Sequence, residues 1–330
     1  MDIYKNILLI NFGGIGDEIL FMPVIQSLRK TYPEAKITLC LEGRSKAFVN
    51  LTKQLNTYFC IDIKTKNKYI EMLKLYFKAL FGRHDLVISA GGNPLIALLL
   101  FFTGIKTRVG YNTSSLAKKL LTHAVELNKN QYASSMYFDL VKPITNSEFE
   151  LPCIEVEELE KNPNSVLVHP GVSKISIQKD IIKSFNSKEW ADVIKLLLKN
   201  GKTVYLAGGP DDTECIEGIR EELKNEDLTN FVDMFGKTKN IFDLVKLIKQ
   251  SEVLICSDSA PMHIGVATDT KTIAVFGPTD DETLLPKSDK FIALKNDVSC
   301  RPCLWAKRQT TCEKLDCLKI DIKKLSQLIQ

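Results

Sequence analysis

Apolar residues along this chain follow two rhythms that alternate from the start. Short unbroken runs ("KNILLIN", "AKITLCL", "YFCIDI", "DLVISA", "TRVGY") are separated by longer stretches such as "DEILFMPVIQSLRKTY" and "KYIEMLKLYFKALF". The runs predict strands and the longer, three-to-four-spaced stretches predict helices. "IEVEELEKNPNS" (154–165) interrupts the series; it is acidic and closes on Asn-Pro-Asn-Ser, which predicts a turn and a domain boundary. A second series then runs from "SVLVHPG" through "SKEWADVIKLLLKNG", "TVYLAGGP", "DDTECIEGIREELK", "NFVDMFG", "NIFDLVKLIKQS" and "EVLICSDS" to "KTIAVFGPT". Val/Ile/Leu strands alternating with helices predict parallel sheets covered on both faces. Two such series predict an α/β chain of two doubly wound, Rossmann-like domains facing a cleft. Their expected bounds are 1–155 and 165–330, with 156–164 as linker.

The turns carry the candidate chemistry. In the second half "HPG", "AGGP", "FG", "SDSAPMH" and "FGPT" all follow carboxyl ends of predicted strands, the edge at which open parallel sheets bind ligands. Such turns can be simple tight connections, but five of them with Pro, Ser, Asp or His predict a nucleotide-sized site. In the first half, "NFGGIGDEILFMP" places Gly14 and Gly16 at the first two positions of a dinucleotide-binding turn, with Ile19 at the third. Glu42, ending the second strand, stands where a ribose-binding acid would, so an NAD-type oxidoreductase is a competing reading. Asp17 argues against it. A carboxylate in the first helical turn would fill the anion site and repel a pyrophosphate. It can cap its own helix, or take a proton from an incoming hydroxyl.

Composition changes this picture little. Apolar residues make up 45% and charged ones 25% of the 330, as in an ordinary soluble globular protein. The longest apolar stretch, "PLIALLLFF" (94–102), is far short of the ~20 residues of a membrane span and predicts a buried helix. A basic region followed by a cleavable apolar segment is not apparent at the start, so a cytoplasmic location is expected. Charge is unevenly spread: residues 1–155 hold 19 Lys/Arg against 13 Asp/Glu, the remainder 25 against 27. A basic first half suits an anionic partner or membrane surface, or is a scatter of solvated lysines. Five cysteines (Cys40, Cys60, Cys153, Cys215, Cys256) are scattered as small hydrophobes. Cys300, Cys303, Cys312 and Cys317 have a spacing that suits either a structural zinc or free thiols in a compact loop.

Taken together, "NILLINFGGIGDEILFMPVIQSLRKTYPEAKITL", "VLVHPGVS", "VYLAGGPDD", "SDSAPMHIGVA", "IAVFGPT" and "CRPCLWAKRQTTCEKLDCL" resemble glycosyltransferase family 9, the heptosyltransferases of lipopolysaccharide core assembly. The resemblance implies a GT-B fold, with acceptor bound in the first domain and nucleotide-sugar donor in the second. It implies inverting transfer that needs no metal or other cofactor. Carried onto this chain, it makes Asp17 the general base, with Gly13, Gly14 and Gly16 as the acceptor-side loop. Asp258, Ser259, Ala260 and His263 would line the donor, Ser259 capping a helix whose N–H groups hold the diphosphate and His263 donating to a phosphate. Gly171, Ser173 and Gly209 join that donor set. Asp212 and Glu214 would accept from the donor ribose, or serve as first-turn acids. The family's lysine before a Trp-Pro pair falls on Lys183, followed here by Phe185-Asn186 with Trp190 on the next helix. Lys183 would neutralise the leaving diphosphate; because residues 173–182 form a longer segment than usual, Lys174 and Lys179 are alternatives. Ser257 and Ala260 stand where Asn and Gly are common, and "GGIGDE" replaces a serine-rich turn. The implied partners are ADP-heptose or a related nucleotide sugar and an anionic lipid-linked glycan, with peripheral contact at the membrane surface and no nucleic acid. A catalytically silent nucleotide-sugar binding protein is the other competing reading.

Overall fold

The computed structural model describes residues 3–64, 66–305 and 307–329; the side chain of Lys174 lies outside that description. The chain divides into two compact units, Met1–Ile154 and Glu155–Gln330.

Unit 1 contains β1 (Asn6–Ile10), α1 (Ile15–Leu20), α2 (Met22–Thr31), β2 (Lys36–Leu41), β3 (Thr57–Cys60), α3 (Lys68–Phe81), β4 (Leu86–Ser89), α4 (Pro94–Phe102), β5 (Thr107–Tyr111), α5 (Ser115–Leu120), β6 (His123–Val125) and α6 (Ala133–Phe138). Its six-stranded sheet has the order β3-β2-β1-β4-β5-β6, and every pairing is parallel. The predicted helix over 17–32 is two helices, because Pro23 lies in the first turn of α2 just after Phe21, the residue that both ends α1 and caps α2. Ile7, Leu8, Leu9 and Ile10 are fully buried, as expected for a strand with both faces covered. "PLIALLLFF" is the helix α4, but only one side is buried. Ile96, Ala97 and Leu100 face the core, while Leu95, Phe101 and Phe102 are exposed.

Unit 2 contains β7 (Asn162–His169), α7 (Lys174–Gln178), α8 (Ser187–Lys199), β8 (Thr203–Leu206), α9 (Thr213–Leu223), β9 (Phe231–Asp233), α10 (Ile241–Gln250), β10 (Ser251–Ser257), α11 (Ala260–Ala267), β11 (Lys271–Phe276) and β12 (Phe291–Lys295). Its parallel sheet runs β12-β11-β10-β7-β8-β9, which read in reverse is the order of unit 1. Both are the doubly wound 3-2-1-4-5-6 arrangement, whose order reverses beside the first strand. Trp190 is fully buried on α8 in the core that packs against Val166, Val168 and Ile255.

The Asn-Pro-Asn-Ser turn predicted at 162–165 is instead the start of β7. Asn162 pairs with Ser251, and a register shift before Val253 absorbs the irregularity. Asn164 takes a left-handed φ of 64° and is held there from both ends. Its N–H donates to Glu252 (2.8 Å) and its side-chain amide to the Gly201 carbonyl (2.7 Å). Turn-prone residues thus serve as a bulge on a strand, because Glu252 of the neighbouring strand and the Gly201 carbonyl supply the hydrogen bonds.

Candidate functional site

In unit 1 the sheet order reverses between β1 and β4, and the glycine turn leaves the end of β1. Asp17 occupies the third position of α1, and its Oδ2 accepts the Gly14 N–H at 2.7 Å. A Cβ on Gly13 would stand 2.3 Å from the Asp17 Cβ, so only glycine admits this close approach. The question raised by Asp17 has a local answer: it fills the helix-terminal anion site and closes its own turn. Among the described residues no hydrogen bond engages its second oxygen, and the side chain is half-buried. That oxygen is what a substrate hydroxyl could meet.

Glu42 does not offer a carboxylate to a ribose. It is buried and ion-paired with Arg44 (2.5 Å) and Lys64 (3.3 Å), and Lys64 also donates to the Phe12 carbonyl at 3.0 Å. The oxidoreductase reading loses its acid here. Beside the turn, Arg44 Nη1 and Asp17 Oδ2 lie 3.8 and 3.7 Å from where a Gly14 Cβ would stand. Glu18, not singled out in the sequence, is fully buried, and neither carboxyl oxygen makes a full hydrogen bond among the described residues. Burial pushes its carboxyl well above the usual range; Asn11 and the Gly13 backbone oppose this in part, while the charges of Asp17 and Glu42 add to it. The signal for it was present: an acid beside Ile19 and Leu20 on the buried side of α1.

In unit 2 the reversal lies between β7 and β10. Ser257, ending β10, is within hydrogen-bond distance of the Pro170 and Gly171 carbonyls (2.8 and 2.7 Å) and so ties the two strand ends together. The Trp190 indole donates to Ser184 Oγ (3.0 Å), which donates on to the Pro170 carbonyl (3.0 Å). This chain anchors the backbone next to Lys183. The Lys183 ammonium lies 3.3 Å from Asp258 Oδ2, which also accepts from the Thr279 hydroxyl at 2.8 Å. Lys183 therefore lies against the "SDSAPMH" motif. Lys179 is exposed, and the Lys174 side chain lies outside the described residues. The lengthened segment before Lys183 folds into the short helix α7.

Several predicted donor ligands have other partners. Ser173 caps α7, accepting from the Ser176 N–H (3.4 Å) with the two hydroxyls 2.9 Å apart. Ser259 stands at the N-cap position of α11, but its hydroxyl turns back to the Ser257 carbonyl (3.4 Å) and makes no capping bond. With Pro261 in the first turn, the start of α11 lacks a side-chain cap, which leaves the helix end suited to an anion. Ala260 opens that helix, and His263, one turn in, is buried. Asp212 is buried, with Oδ2 accepting the Gly209 N–H at 2.7 Å; a Cβ on Gly171 would stand 2.2 Å from its carboxylate. Burial raises the Asp212 carboxyl, opposed in part by the Gly209 and Val172 backbone. Asp212 therefore serves its own loop, in the same Gly-Gly-x-x-Asp arrangement as Asp17. Glu214 is exposed in the first turn of α9.

Three residues near this edge were missed. Thr279 holds Asp258. His169 ends β7 opposite Cys256, and burial depresses its imidazole to about 4, so the ring is neutral near pH 7. Arg301, from the cysteine-rich segment, donates to the Gly277 (2.7 Å) and Thr279 (3.0 Å) carbonyls and pairs with Asp281 (2.9 Å). Burial opposes ionisation of Asp281, but Lys295 at 2.6 Å and Arg301 hold its carboxyl below the usual range. Cys300 is exposed, Cys312 half-buried, and Cys303 and Cys317 buried, all as free thiols. Burial and then the neighbouring thiols push Cys317 up. Among the described residues no three Cys, His, Asp or Glu side chains form a metal-ligand group.

Residues 73–315 match the family model of glycosyltransferase family 9 (heptosyltransferase). Lipopolysaccharide heptosyltransferase 3 of Escherichia coli is 26% identical over 299 residues, covering 84% of this chain and 85% of the relative. Lipooligosaccharide heptosyltransferase 2 of Haemophilus influenzae is 24% identical over 320 residues, covering 88% of each. The solved E. coli ADP-heptose lipopolysaccharide heptosyltransferase II superposes with a TM-score of 0.73 at 20% identity, covering 98% of both chains, so the fold is shared.

Proposed function

Because the chain belongs to glycosyltransferase family 9, we propose that it moves a heptose, or a closely related sugar, from ADP-heptose to a hydroxyl of a lipopolysaccharide core-type acceptor. The relatives' names support the heptose and a lipopolysaccharide or lipooligosaccharide acceptor, and the name of the solved neighbour supports the ADP donor. The observation that carries the reading is Lys183 at Asp258, two residues ahead of the uncapped start of α11. A cation and a helix N-terminus side by side suit a diphosphate.

In this reading unit 2 holds the donor. The acceptor hydroxyl attacks the anomeric carbon from the face opposite the diphosphate, and its proton passes to the Asp17 carboxylate. The new C–O bond forms as the bond to the diphosphate oxygen breaks and its electron pair leaves with the phosphate. Lys183 shifts from Asp258 toward that developing charge, and the N–H groups at the start of α11 share it. Configuration inverts. The step asks for no divalent ion: Asp212 is tied to its own turn and Asp281 to two cations, so neither adjacent acid pair (211–212, 280–281) is left to clamp one.

Asp17→Asn tests the base. The amide keeps the size of the side chain and can still accept from the Gly14 N–H. Heptose transfer should fall about 10²–10⁴-fold with donor affinity little changed. Near-normal turnover would leave Asp17 with its capping role alone. Thermal stabilisation by ADP over UDP, GDP and NAD identifies the base of the donor, since a ligand of the native state raises its stability.

A further inference from the structure

The outward faces of α3 and α4 are apolar where a soluble surface would be polar. On α3, Tyr69, Ile70, Leu73, Phe77 and Phe81 are exposed, Tyr69 at 82% and Phe81 at 74%. At 100° per residue, the centre of this arc lies roughly 170° around the helix from the buried Glu71, Leu75 and Ala79. The helix therefore has two apolar faces, and only one has a core to meet. Phe77 and Phe81 stack in parallel, ring centroids 5.9 Å apart, and present a single slab to solvent. Phe101 and Phe102, set edge to face with centroids 5.6 Å apart, end α4 and are also exposed, Phe102 at 63%. α3 leads into β4 and α4 into β5, and the starts of those strands are paired at Leu86 and Thr107. The Phe81 and Phe101–Phe102 ends of the two helices therefore lie together.

Single exposed hydrophobics are ordinary, but a contiguous set on two neighbouring helices marks a docking surface. Its charge says what kind. Residues 66–108 hold seven Lys/Arg and two Asp/Glu. Glu71 is buried with Lys74 beside it, and Asp85 accepts from the backbone of Lys5 and Asn6. Among the described residues Lys68, Lys78, Arg83 and Lys106 are paired with no acid, and the Arg108 guanidinium lies 5.4 Å over the Phe101 ring. Aromatic and aliphatic side chains ringed by unpaired cations fit an anionic bilayer surface, where rings enter the interface and cations meet phosphates. No helix among the described residues is long and apolar enough to cross a membrane, so attachment by this face is peripheral.

We propose that the exposed face of α3 and α4, centred on Phe77, Phe81, Phe101 and Phe102 with Lys68, Lys78, Arg83 and Lys106 around it, docks this protein on an anionic phospholipid bilayer. It deepens the functional reading above, since a lipid-linked acceptor is met at a bilayer. Vesicle binding is measured without donor or acceptor, so either reading can fail alone.

The test is co-sedimentation of the full chain with phosphatidylcholine vesicles, with and without about a third phosphatidylglycerol. Wild-type protein should bind the anionic vesicles and release them as salt rises. Phe77→Ser with Phe81→Ser should lower partitioning about tenfold or more. Lys68→Ala with Lys78→Ala should lower it about fivefold per lysine. All four positions are exposed, so both variants should melt like wild type, and transfer to a water-soluble acceptor fragment should be unchanged. Equal binding by wild type and both variants, or no binding to anionic vesicles, overturns the proposal. A wild-type dimer in sedimentation velocity that Phe77→Ser with Phe81→Ser dissolves would also overturn it, by making this face a contact between copies.

Discussion

Lys183→Ala removes the ammonium that faces Asp258, and the structure sets the size of the effect. The carboxylate is 4% exposed and the lysine 17%, with 3.3 Å between the charged atoms. Without Lys183, Asp258 retains the Thr279 hydroxyl at 2.8 Å as its named donor. Breaking a fully buried pair costs about 3–5 kcal/mol. Here water can follow the vacated lysine stem, so a loss of about 1–3 kcal/mol is expected. For a domain of this size that lowers Tm by roughly 3–10 °C. Asp258→Asn in the same chain removes the stranded charge, while Thr279 can still donate to the amide oxygen. The double variant should recover part of the loss. Melts with and without ADP separate this packing effect from donor binding: Lys183→Ala should also shrink the ADP-induced rise in Tm, and transfer should slow. A Lys183→Ala protein with wild-type Tm and a wild-type response to ADP would refute the reasoning, and Lys179→Ala is the control that should do neither.

Two other outcomes follow from the same structure. Burial raises the Glu18 carboxyl above its unfolded value, so the folded protein binds the extra proton and stability should fall as pH rises above the usual carboxyl range. Glu18→Gln should flatten that dependence and be at least as stable as wild type at pH 8; urea denaturation in which the variant loses as much stability between pH 5 and pH 8 as wild type does would reject the assignment. Transfer should survive EDTA in a protein shown by circular dichroism to remain folded, whereas complete loss restored by Mg²⁺ without refolding would remove the metal-free mechanism.

The alternation of strand and helix was legible because parallel strands buried on both faces leave continuous apolar runs, and the turns at their carboxyl ends follow from that. What sequence spacing could not show was which hydroxyl or carboxylate is already committed. Ser173, Ser259 and Asp212 have side chains suited to a ligand, yet the first caps a helix, the second turns back on a strand end and the third closes its own loop. Those choices rest on bonds between neighbours in sequence, but depend on backbone angles that composition does not determine. The Lys183–Asp258 pair was hidden for the opposite reason, being 75 positions apart and joined only by the sheet order. Asn164 read as a turn because the acid and carbonyl that make it part of a strand come from Glu252 and Gly201. "PLIALLLFF" read as a buried helix because its length and polarity carry no information about which side meets a core.

Arg301 joins two parts of the chain that the sequence keeps separate. Its guanidinium clasps the carbonyls of Gly277 and Thr279, and Thr279 in turn touches Asp258. The loop around Cys300 and Cys303 is therefore a buttress for the strand-end edge at which Lys183 meets Asp258. If this edge holds the donor as proposed above, damage to that loop, by peroxide or by a protease nick, should loosen the grip on nucleotide. Arg301 itself is no part of the core around Trp190, but Cys317 and Leu318 of the same segment are and Val298 packs against it, so such damage should lower the melting temperature of unit 2 as well.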